Sequence, residues 1–167
     1  MPDFPRPIYA RHSCPSHLMV MAQDSLAKSG ARVHHCHMPK EFRLSDHSIV
    51  AFVATSDPAR SRKFYGDTLA LPLIAEQMPF ALVYDAHGTM LRVTLVEKVD
   101  PAGYTVLGWN VPNIVTAAQG LTAAGVKFER YPGMKQDELG IWTSPGGAKV
   151  AWFKDPDGNT LSISQLG

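Results

Sequence analysis

Apolar and polar residues alternate along several short runs between residues 48 and 167, and this alternation predicts β-strands with one buried face. Each half of this region starts with one such run, continues with a helix-like stretch and then contains three more runs. The predicted strands of the first half are residues 49–55, 73–76, 80–84 and 89–96. The predicted strands of the second half are residues 105–111, 127–131, 149–154 and 160–164.

Two segments between these runs carry apolar residues at helical spacing. The first begins after Asp57, a favourable N-cap, has Pro58 in its first position and continues to Leu69. The second begins after Asn113 and ends at Gly125, because glycine readily adopts the backbone conformation that ends a helix. Each half therefore has the element order β-α-β-β-β.

The two halves also share a turn motif. Residues 85–93 align with residues 155–163, and both copies have Asp, Gly and Leu at equivalent positions. Each copy predicts a tight turn that leads into a strand. An internal repeat of this length indicates two modules of one plan, which we assign to residues 47–100 and 104–167. An additional segment, residues 132–147, interrupts the second module.

This module order resembles that of the vicinal oxygen chelate superfamily, which includes glyoxalase I, bleomycin-resistance proteins and extradiol dioxygenases. The Phe64-Tyr65 pair and the Asp155-Pro156-Asp157-Gly158-Asn159 turn carry the resemblance, which covers residues 47–167. It implies an α+β fold in which two βαβββ modules form a cupped, mostly antiparallel sheet with helices outside and a ligand within. It also implies a homodimer, with the modules paired either within one chain or between two. The resemblance does not determine the activity, because proteins with one fold can catalyse many different reactions.

Side chains alternate across a strand, so each strand has a helix side, which packs on the helices, and a cup side, which lines the cup. The predicted helix side is uniformly apolar and consists of Ile49, Ala51, Val53, Leu91, Val93, Leu95, Leu107, Trp109, Val111, Leu161 and Ile163. The predicted cup side is mixed and consists of Val50, Phe52, Ala54, Met90, Arg92, Thr94, Val106, Gly108, Asn110, Thr160, Ser162 and Ser164.

Metal-dependent members of the superfamily carry His, Glu or Gln at four equivalent positions. The resemblance assigns those positions here to Val50, Arg92, Val106 and Ser162. Valine has no donor atom, arginine is a permanent cation, and a serine hydroxyl is a poor ligand compared with imidazole or carboxylate. We therefore expect no metal and no other cofactor in the cup. His47 lies three positions before Val50, and we interpret it as a strand-entrance or solvent residue.

Arg92 is the main candidate for ligand binding, since a guanidinium offers a planar fork to a carboxylate or phosphate and stacks on aromatic rings. The alternative is that Arg92 pairs internally with Glu76, Asp85 or Glu97, because an unpaired buried charge costs on the order of several kcal/mol. The other candidates are polar groups that orient a ligand and apolar walls, namely Phe52, Thr94, Asn110, Trp142, Trp152 and Ser162.

The sequence shows no paired nucleophile and base. Tyr65, Tyr84 and Glu129 are candidates in principle, but no spacing ties any of them to a partner. The predicted function is therefore metal-independent binding of an organic, anionic or aromatic small molecule, similar to bleomycin-resistance proteins. The alternatives are a lyase, isomerase or dioxygenase of the same superfamily with an unrecognised metal or acid-base site, and an interaction module that uses its dimer surface.

Charge and hydropathy narrow the range of partners. Sixteen Lys plus Arg and fifteen Asp plus Glu give a formal net charge of +1, which is too balanced for the basic surface that nucleic-acid binding requires. No apolar stretch approaches the roughly 18 residues that cross a bilayer, and no signal-peptide core is present. We therefore expect a cytoplasmic protein that binds neither nucleic acid nor membranes.

The first 46 residues differ in composition from the rest of the chain. Six of the seven histidines and both cysteines lie in residues 1–47, and prolines are frequent near the start. We interpret residues 1–46 as an extension that is partly disordered, with one short helix over residues 18–28. The His34-His35-Cys36-His37 run looks metal-like, but adjacent ligands rarely close a zinc site, so we expect it to be incidental. Two cysteines are too few for a disulfide framework.

Overall fold

The structure, a computed structural model, describes residues 42–166. The helix predicted at residues 18–28 and the histidine-rich run at residues 34–37 lie outside the described residues. The described chain begins with a 3₁₀ turn, Leu44–Asp46, and then enters the first module.

Eight strands and two helices follow in the described part of the chain. The first module contains β1 (Val50–Thr55), α1 (Pro58–Ser61), which continues as a π-helix (Arg62–Thr68), β2 (Leu73–Gln77), β3 (Ala81–Ala86) and β4 (Thr89–Leu95). The second module contains β5 (Thr105–Asn110), α2 (Ile114–Ala123), β6 (Trp142–Thr143), β7 (Lys149–Lys154) and β8 (Thr160–Gln165). The α+β fold with two βαβββ modules is therefore confirmed.

Each module forms a four-stranded mixed sheet of the same plan. The first sheet has the strand order β1-β4-β3-β2 and the second has the order β5-β8-β7-β6. The first and last strands of each module pair in parallel, and the other neighbours pair antiparallel. The turn motif found in the sequence lies between the two last strands of each module, so the repeat in the sequence is a repeat in the fold.

Both helices begin as predicted. The Asp57 side chain accepts a 3.0 Å hydrogen bond from the backbone N–H of Arg60, and Asn113 accepts one of 3.0 Å from Thr116. These bonds satisfy amide groups that have no partner in the first turn of a helix. The first helix differs from the prediction because its second part is a π-helix. There the Leu69 N–H bonds to the Phe64 carbonyl at 2.8 Å, five residues back.

The prediction of a strand at residues 127–131 is wrong. Only an isolated bridge joins Phe128 to Phe153 there, and β6 from the inserted segment takes the edge position of the second sheet. The segment still contacts β7, because the Glu129 N–H donates to the Trp152 carbonyl at 2.7 Å. The Gln136 side chain accepts from the Tyr131 N–H at 2.8 Å and donates to the Glu129 carbonyl at 2.9 Å, so these two backbone groups bind a side chain and not a strand.

One hydrophobic core runs along the helix sides of both sheets. The predicted helix-side residues Val53, Leu91, Val93, Leu161 and Ile163 are all at most 4% exposed. The core cluster of buried residues consists of Val53, Tyr65, Leu82, Tyr84, Leu91, Val93, Ile114, Ala118, Val126, Ile141, Ala151, Phe153, Leu161 and Ile163. Both modules contribute to it, which explains why they fold as one unit.

Two residues lie elsewhere than the strand alternation predicts. Ile49 is 73% exposed and precedes the first residue of β1. Val106, predicted on the cup side, is partly buried and packs against the core. The pairing of β5 with β8 shifts register between Thr105 and Leu107, and such an irregularity interrupts the alternation of side chains.

The turn that carries the family resemblance also joins the two modules. The Thr55 hydroxyl donates to the Asp157 carboxylate at 2.7 Å, and the Asn159 amide donates to the Ala54 carbonyl at 2.9 Å. A turn of the second module thus holds the end of β1 in the first. Within residues 42–166, no helix is long and apolar enough to cross a membrane.

Candidate functional site

The cup side of the first sheet places Arg92 among apolar neighbours. Arg92 on β4 lies opposite Phe52 on β1 and opposite Val83 on β3. Residues directly opposite on neighbouring strands point to the same side of a sheet, so these three side chains are adjacent. Phe52 is 62% exposed and Met90, two positions before Arg92, is 41% exposed. This part of the cup side is therefore an apolar surface around one half-buried cation.

Arg92 makes no ion pair or hydrogen bond with any other residue between 42 and 166. The internal partners that the sequence left open do not bind it. Glu76 pairs with Arg62, and Asp85 accepts a 2.6 Å hydrogen bond from the Gly88 N–H in its own turn. Neither carboxylate therefore serves as an internal partner of the guanidinium.

Thr94 adds a hydroxyl to the same surface. It lies two residues after Arg92 on β4, so both side chains point to the cup side. Its Oγ1 atom is buried and, in the described part of the chain, has no hydrogen-bond partner. A buried hydroxyl without a partner loses its hydration without compensation. Arg92 and Thr94 are therefore two donors on one strand, each without an internal acceptor.

The cup side of the second sheet carries an aromatic cluster. Trp142 on β6 and Trp152 on β7 have ring centroids 6.1 Å apart, and Tyr131 meets Trp152 edge-on at 5.6 Å. The Trp152 indole N–H donates to the Thr105 hydroxyl at 3.1 Å, which orients the ring. Burial and then the charge of Glu129 raise the pKa of Tyr131, so this phenol stays protonated at neutral pH. Such a cluster offers ring faces and edges to an aromatic molecule.

Ser162 and Asn110 lie on the second sheet but have structural neighbours. Ser162 is 6% exposed and lies opposite Trp152 on β7 and Gly108 on β5. A Cβ atom at position 108 would lie 2.6 Å from the Ser162 Oγ, so glycine leaves the room that this hydroxyl occupies. The Asn110 side-chain Oδ1 accepts a 3.2 Å hydrogen bond from the Leu166 backbone N–H, so this oxygen already has a partner within the protein.

The predicted residues thus form two groups, with Phe52, Arg92 and Thr94 on the first sheet and Asn110, Trp142, Trp152 and Ser162 on the second. Sequence reasoning missed Thr105 and Tyr131, and it placed Gly108 on the cup side without assigning it a role. A glycine inside a strand is a signal of close approach and could have indicated that role. No local signal pointed to the contacts of Thr105 and Tyr131 with Trp152.

The four positions that the resemblance assigns to a metal site carry side chains that suit a metal ion poorly. Val50 and Val106 have no donor atom, Arg92 is a cation, and the neutral Ser162 hydroxyl is a weak ligand. Val106 packs against the core in addition. Between residues 42 and 166 there is also no group of three or more His, Cys, Asp or Glu residues that could hold a metal ion.

Two of the three titratable residues that were candidates for acid-base chemistry, Tyr65 and Tyr84, lie in the core on the helix side. The Tyr65 hydroxyl donates to Asp155 at 2.7 Å, and burial together with this carboxylate raises its pKa. The Tyr84 hydroxyl is buried, has no hydrogen-bond partner among the described residues, and has its pKa raised by burial. Neither phenol is placed to exchange protons with a ligand in the cup.

A cavity of about 390 Å³ lies on the helix side of the second sheet. None of the predicted site residues lines it. It lies instead beside the end of the first helix, at Leu69 and Leu71, and beside α2. This partly open pocket and the candidate residues Trp142, Trp152 and Ser162 are therefore on opposite sides of the second sheet.

Residues 45–163 match the family model described as Glyoxalase/Bleomycin resistance protein/Dioxygenase superfamily. The chain belongs to this superfamily, in agreement with the duplicated module and the Asp155-Pro156-Asp157-Gly158-Asn159 turn. A comparison with curated proteins gives no match to this chain.

Solved structures with the same fold come from several bacteria. A glyoxalase family protein from Bacillus anthracis has a TM-score of 0.57 at 15% identity, covering 78% of this chain and 100% of that chain. A superfamily member from Sphaerobacter thermophilus has 0.54 at 24% identity, covering 72% and 99%. Lactoylglutathione lyase from Agrobacterium tumefaciens has 0.53 at 14% identity, covering 71% and 92%. At these identities the similarity shows the fold alone.

Proposed function

We propose that this protein binds a small organic anion on its cup side, with Arg92 as the recognition group and without a metal ion. It would act as a binding protein, in the manner that the bleomycin-resistance name of its superfamily indicates. The observation that supports this most directly is the half-buried Arg92 guanidinium, which makes no ion pair or hydrogen bond to residues 42–166.

The surroundings of Arg92 favour an anion over a cation or a neutral polar molecule. Its neighbours Phe52 and Val83 are apolar and compete weakly for the guanidinium. A charged group that has lost part of its hydration gains most from an opposite charge at hydrogen-bond distance. A carboxylate would take two N–H donors of Arg92, and the Thr94 hydroxyl is the adjacent donor on the same strand.

We propose in addition that the ligand has an aromatic portion, for which the second sheet offers a cluster of rings. Trp142, Trp152 and Tyr131 form a half-buried cluster on the cup side, and rings in such clusters stack on aromatic ligands. The chemical class that suits both groups is an aromatic carboxylate. Ser162 and Asn110 would contribute polar contacts at the same sheet.

A matched pair of probes tests the role of charge. Indole-3-acetate and indole-3-acetamide have the same ring and nearly the same volume, but only the first is an anion at pH 7. Isothermal titration should show at least tenfold tighter binding of the acetate to the wild-type protein, since a charge-assisted pair contributes about 1.5–3 kcal/mol. The Arg92→Met variant should bind both probes alike. Equal binding of both probes by the wild type would contradict the proposal.

A metal assay separates the proposed binder from an enzyme of the same superfamily. Protein purified without chelator should contain no stoichiometric nickel, zinc, iron or manganese by elemental analysis. A stoichiometric metal that is lost on substitution of Ser162 would favour a lyase, isomerase or dioxygenase. The homodimer is likewise a proposal from the resemblance, and light scattering at several protein concentrations measures it.

A further inference from the structure

The cavity on the helix side of the second sheet has an apolar lining. It is lined by Thr68, Leu69, Leu71, Trp109, Val111, Ala117, Gly120, Leu121, Phe153 and Ile163. None of these residues is ionisable. The polar side-chain groups among them are the Thr68 hydroxyl and the Trp109 indole N–H. Water in a cavity needs two to four polar partners, so this lining holds water poorly.

Helix α2 has small residues on the side that faces the cavity. Ala117 and Gly120 are three residues apart, and this spacing puts them on one face of a helix. Glycine inside a helix is less favourable than alanine. A Cβ atom at Gly120 would meet no heavy atom within 4 Å, so close packing does not require glycine there. The small side chains leave open a space that leucine would fill.

The cavity size suits a small molecule. A volume of about 390 Å³ lies within the roughly 300–1,000 Å³ that is typical of ligand sites. The pocket is partly open to solvent, and a charged ligand would lose part of its hydration here without an opposite charge in return. A neutral, mainly apolar molecule loses little hydration and gains dispersion contacts with Leu69, Leu121 and Phe153. The cavity therefore selects against the kind of ligand that Arg92 favours on the cup side.

We propose that the cavity between the end of the first helix and α2 is a second binding site, which takes a neutral apolar or aromatic small molecule. It shares no lining residue with the cup-side candidates. We therefore expect binding at this site to be independent of the anion proposed for Arg92. The two proposals are tested by separate experiments.

The test uses the neutral fluorophore N-phenyl-1-naphthylamine and the full chain. The wild type should bind it saturably, with one probe per chain. Ala117→Leu, which fills the cavity from α2, should weaken binding at least tenfold. Ala123→Leu is the matched control, because it makes the same change on the same helix at an exposed position. Ala123→Leu should bind the probe as the wild type does.

A second measurement keeps the test valid if Ala117→Leu does not fold. In the wild-type protein, nuclear Overhauser contacts should join the probe ring to the methyl groups of Leu69, Leu121 and Ile163. Three results would overturn the proposal: no saturable binding, unchanged binding to a folded Ala117→Leu variant, or contacts to Phe52 and Trp152 in place of the cavity residues. A dimer that Ala117→Leu converts to a monomer would also overturn it, since a second copy would then cover the cavity.

Discussion

The Tyr65 hydroxyl donates a 2.7 Å hydrogen bond to the carboxylate of Asp155, and this contact joins the first helix to the last turn of the second module. Tyr65 is 0% exposed and Asp155 is 5% exposed. Asp155 also accepts from the Asn159 amide and from the backbone N–H groups of Asp157 and Asn159. A buried carboxylate with four donors is well satisfied, so the loss of one donor has a measurable cost.

Tyr65→Phe should lower the free energy of unfolding by about 1.5–3 kcal/mol, because it removes a buried hydrogen bond to a carboxylate. Urea denaturation at pH 7 measures the change. Tyr104→Phe is the matched control, since Tyr104 is 71% exposed, and it should change stability by less than about 0.5 kcal/mol. An equal effect of both substitutions would show that the contact with Asp155 adds no stability.

The Asp157 carboxylate makes stability depend on pH. Burial alone would raise the pKa of Asp157, but hydrogen bonds from Thr55 and Ser56 and the charge of Arg60 outweigh burial and hold this pKa below its usual value. A carboxyl group whose pKa is lower in the folded state stabilises the fold above the unfolded pKa of about 4. This contribution is lost as the pH falls further, through the folded pKa.

Asp157→Asn should therefore make the free energy of unfolding depend less on pH in the acidic range. Urea denaturation at steps between pH 7 and pH 3 should show that the wild type loses more free energy of unfolding than the variant below about pH 5. Asp100→Asn, a change at an exposed carboxylate, is the control and should follow the wild-type curve. Parallel curves for wild type and Asp157→Asn would contradict the assigned role.

Arg92→Met should leave the unfolding free energy of the ligand-free protein unchanged or raise it by about 1 kcal/mol. Methionine keeps much of the apolar contact with Phe52 and Val83 and removes a half-buried charge that has no partner within residues 42–166. Chemical denaturation without ligand measures this. A loss of more than about 1 kcal/mol would mean that the guanidinium has an internal structural role.

Gly140→Ala should be more destabilising than Gly133→Ala. Both glycines have positive φ, 84° and 85°, so alanine is strained at either position by about 1 kcal/mol. At Gly140 a Cβ atom would also lie 2.8 Å from the Phe128 Cβ, whereas at Gly133 it would meet nothing within 4 Å. We expect losses of about 3 and 1 kcal/mol, the difference arising from overpacking. Thermal and urea denaturation of the pair check this directly.

Gly108 and Ser162 should be energetically coupled across β5 and β8. Gly108→Ala puts a Cβ atom 2.6 Å from the Ser162 Oγ, and Ser162→Ala removes that oxygen. A double-mutant cycle should give a coupling energy of about 1–2 kcal/mol, with Gly108→Ala tolerated better in the Ser162→Ala background. Additive effects would show that the serine hydroxyl rotates away without cost.

Features that depend on nearby residues were predictable from the sequence. The N-caps Asp57 and Asn113 act within one helical turn, and the side-chain alternation that buries Val53 and Leu161 acts within one strand. The strand at residues 127–131 was mispredicted because the side chain that binds its backbone, Gln136, lies in the inserted segment. Propensity cannot show that a side chain from a later segment takes up hydrogen-bonding groups of this backbone.

The candidate site depended more strongly on tertiary contacts. The sequence alone determined the duplicated modules, the superfamily and the side of β4 that carries Arg92, because periodicity and turn chemistry are local. Only the tertiary structure decided that Glu76 binds Arg62, which leaves Arg92 without a partner among residues 42–166. It also decided that a cavity lies between the first helix and α2. Ion pairing and packing depend on distances between elements far apart in the chain, and those distances exist only once the elements have packed.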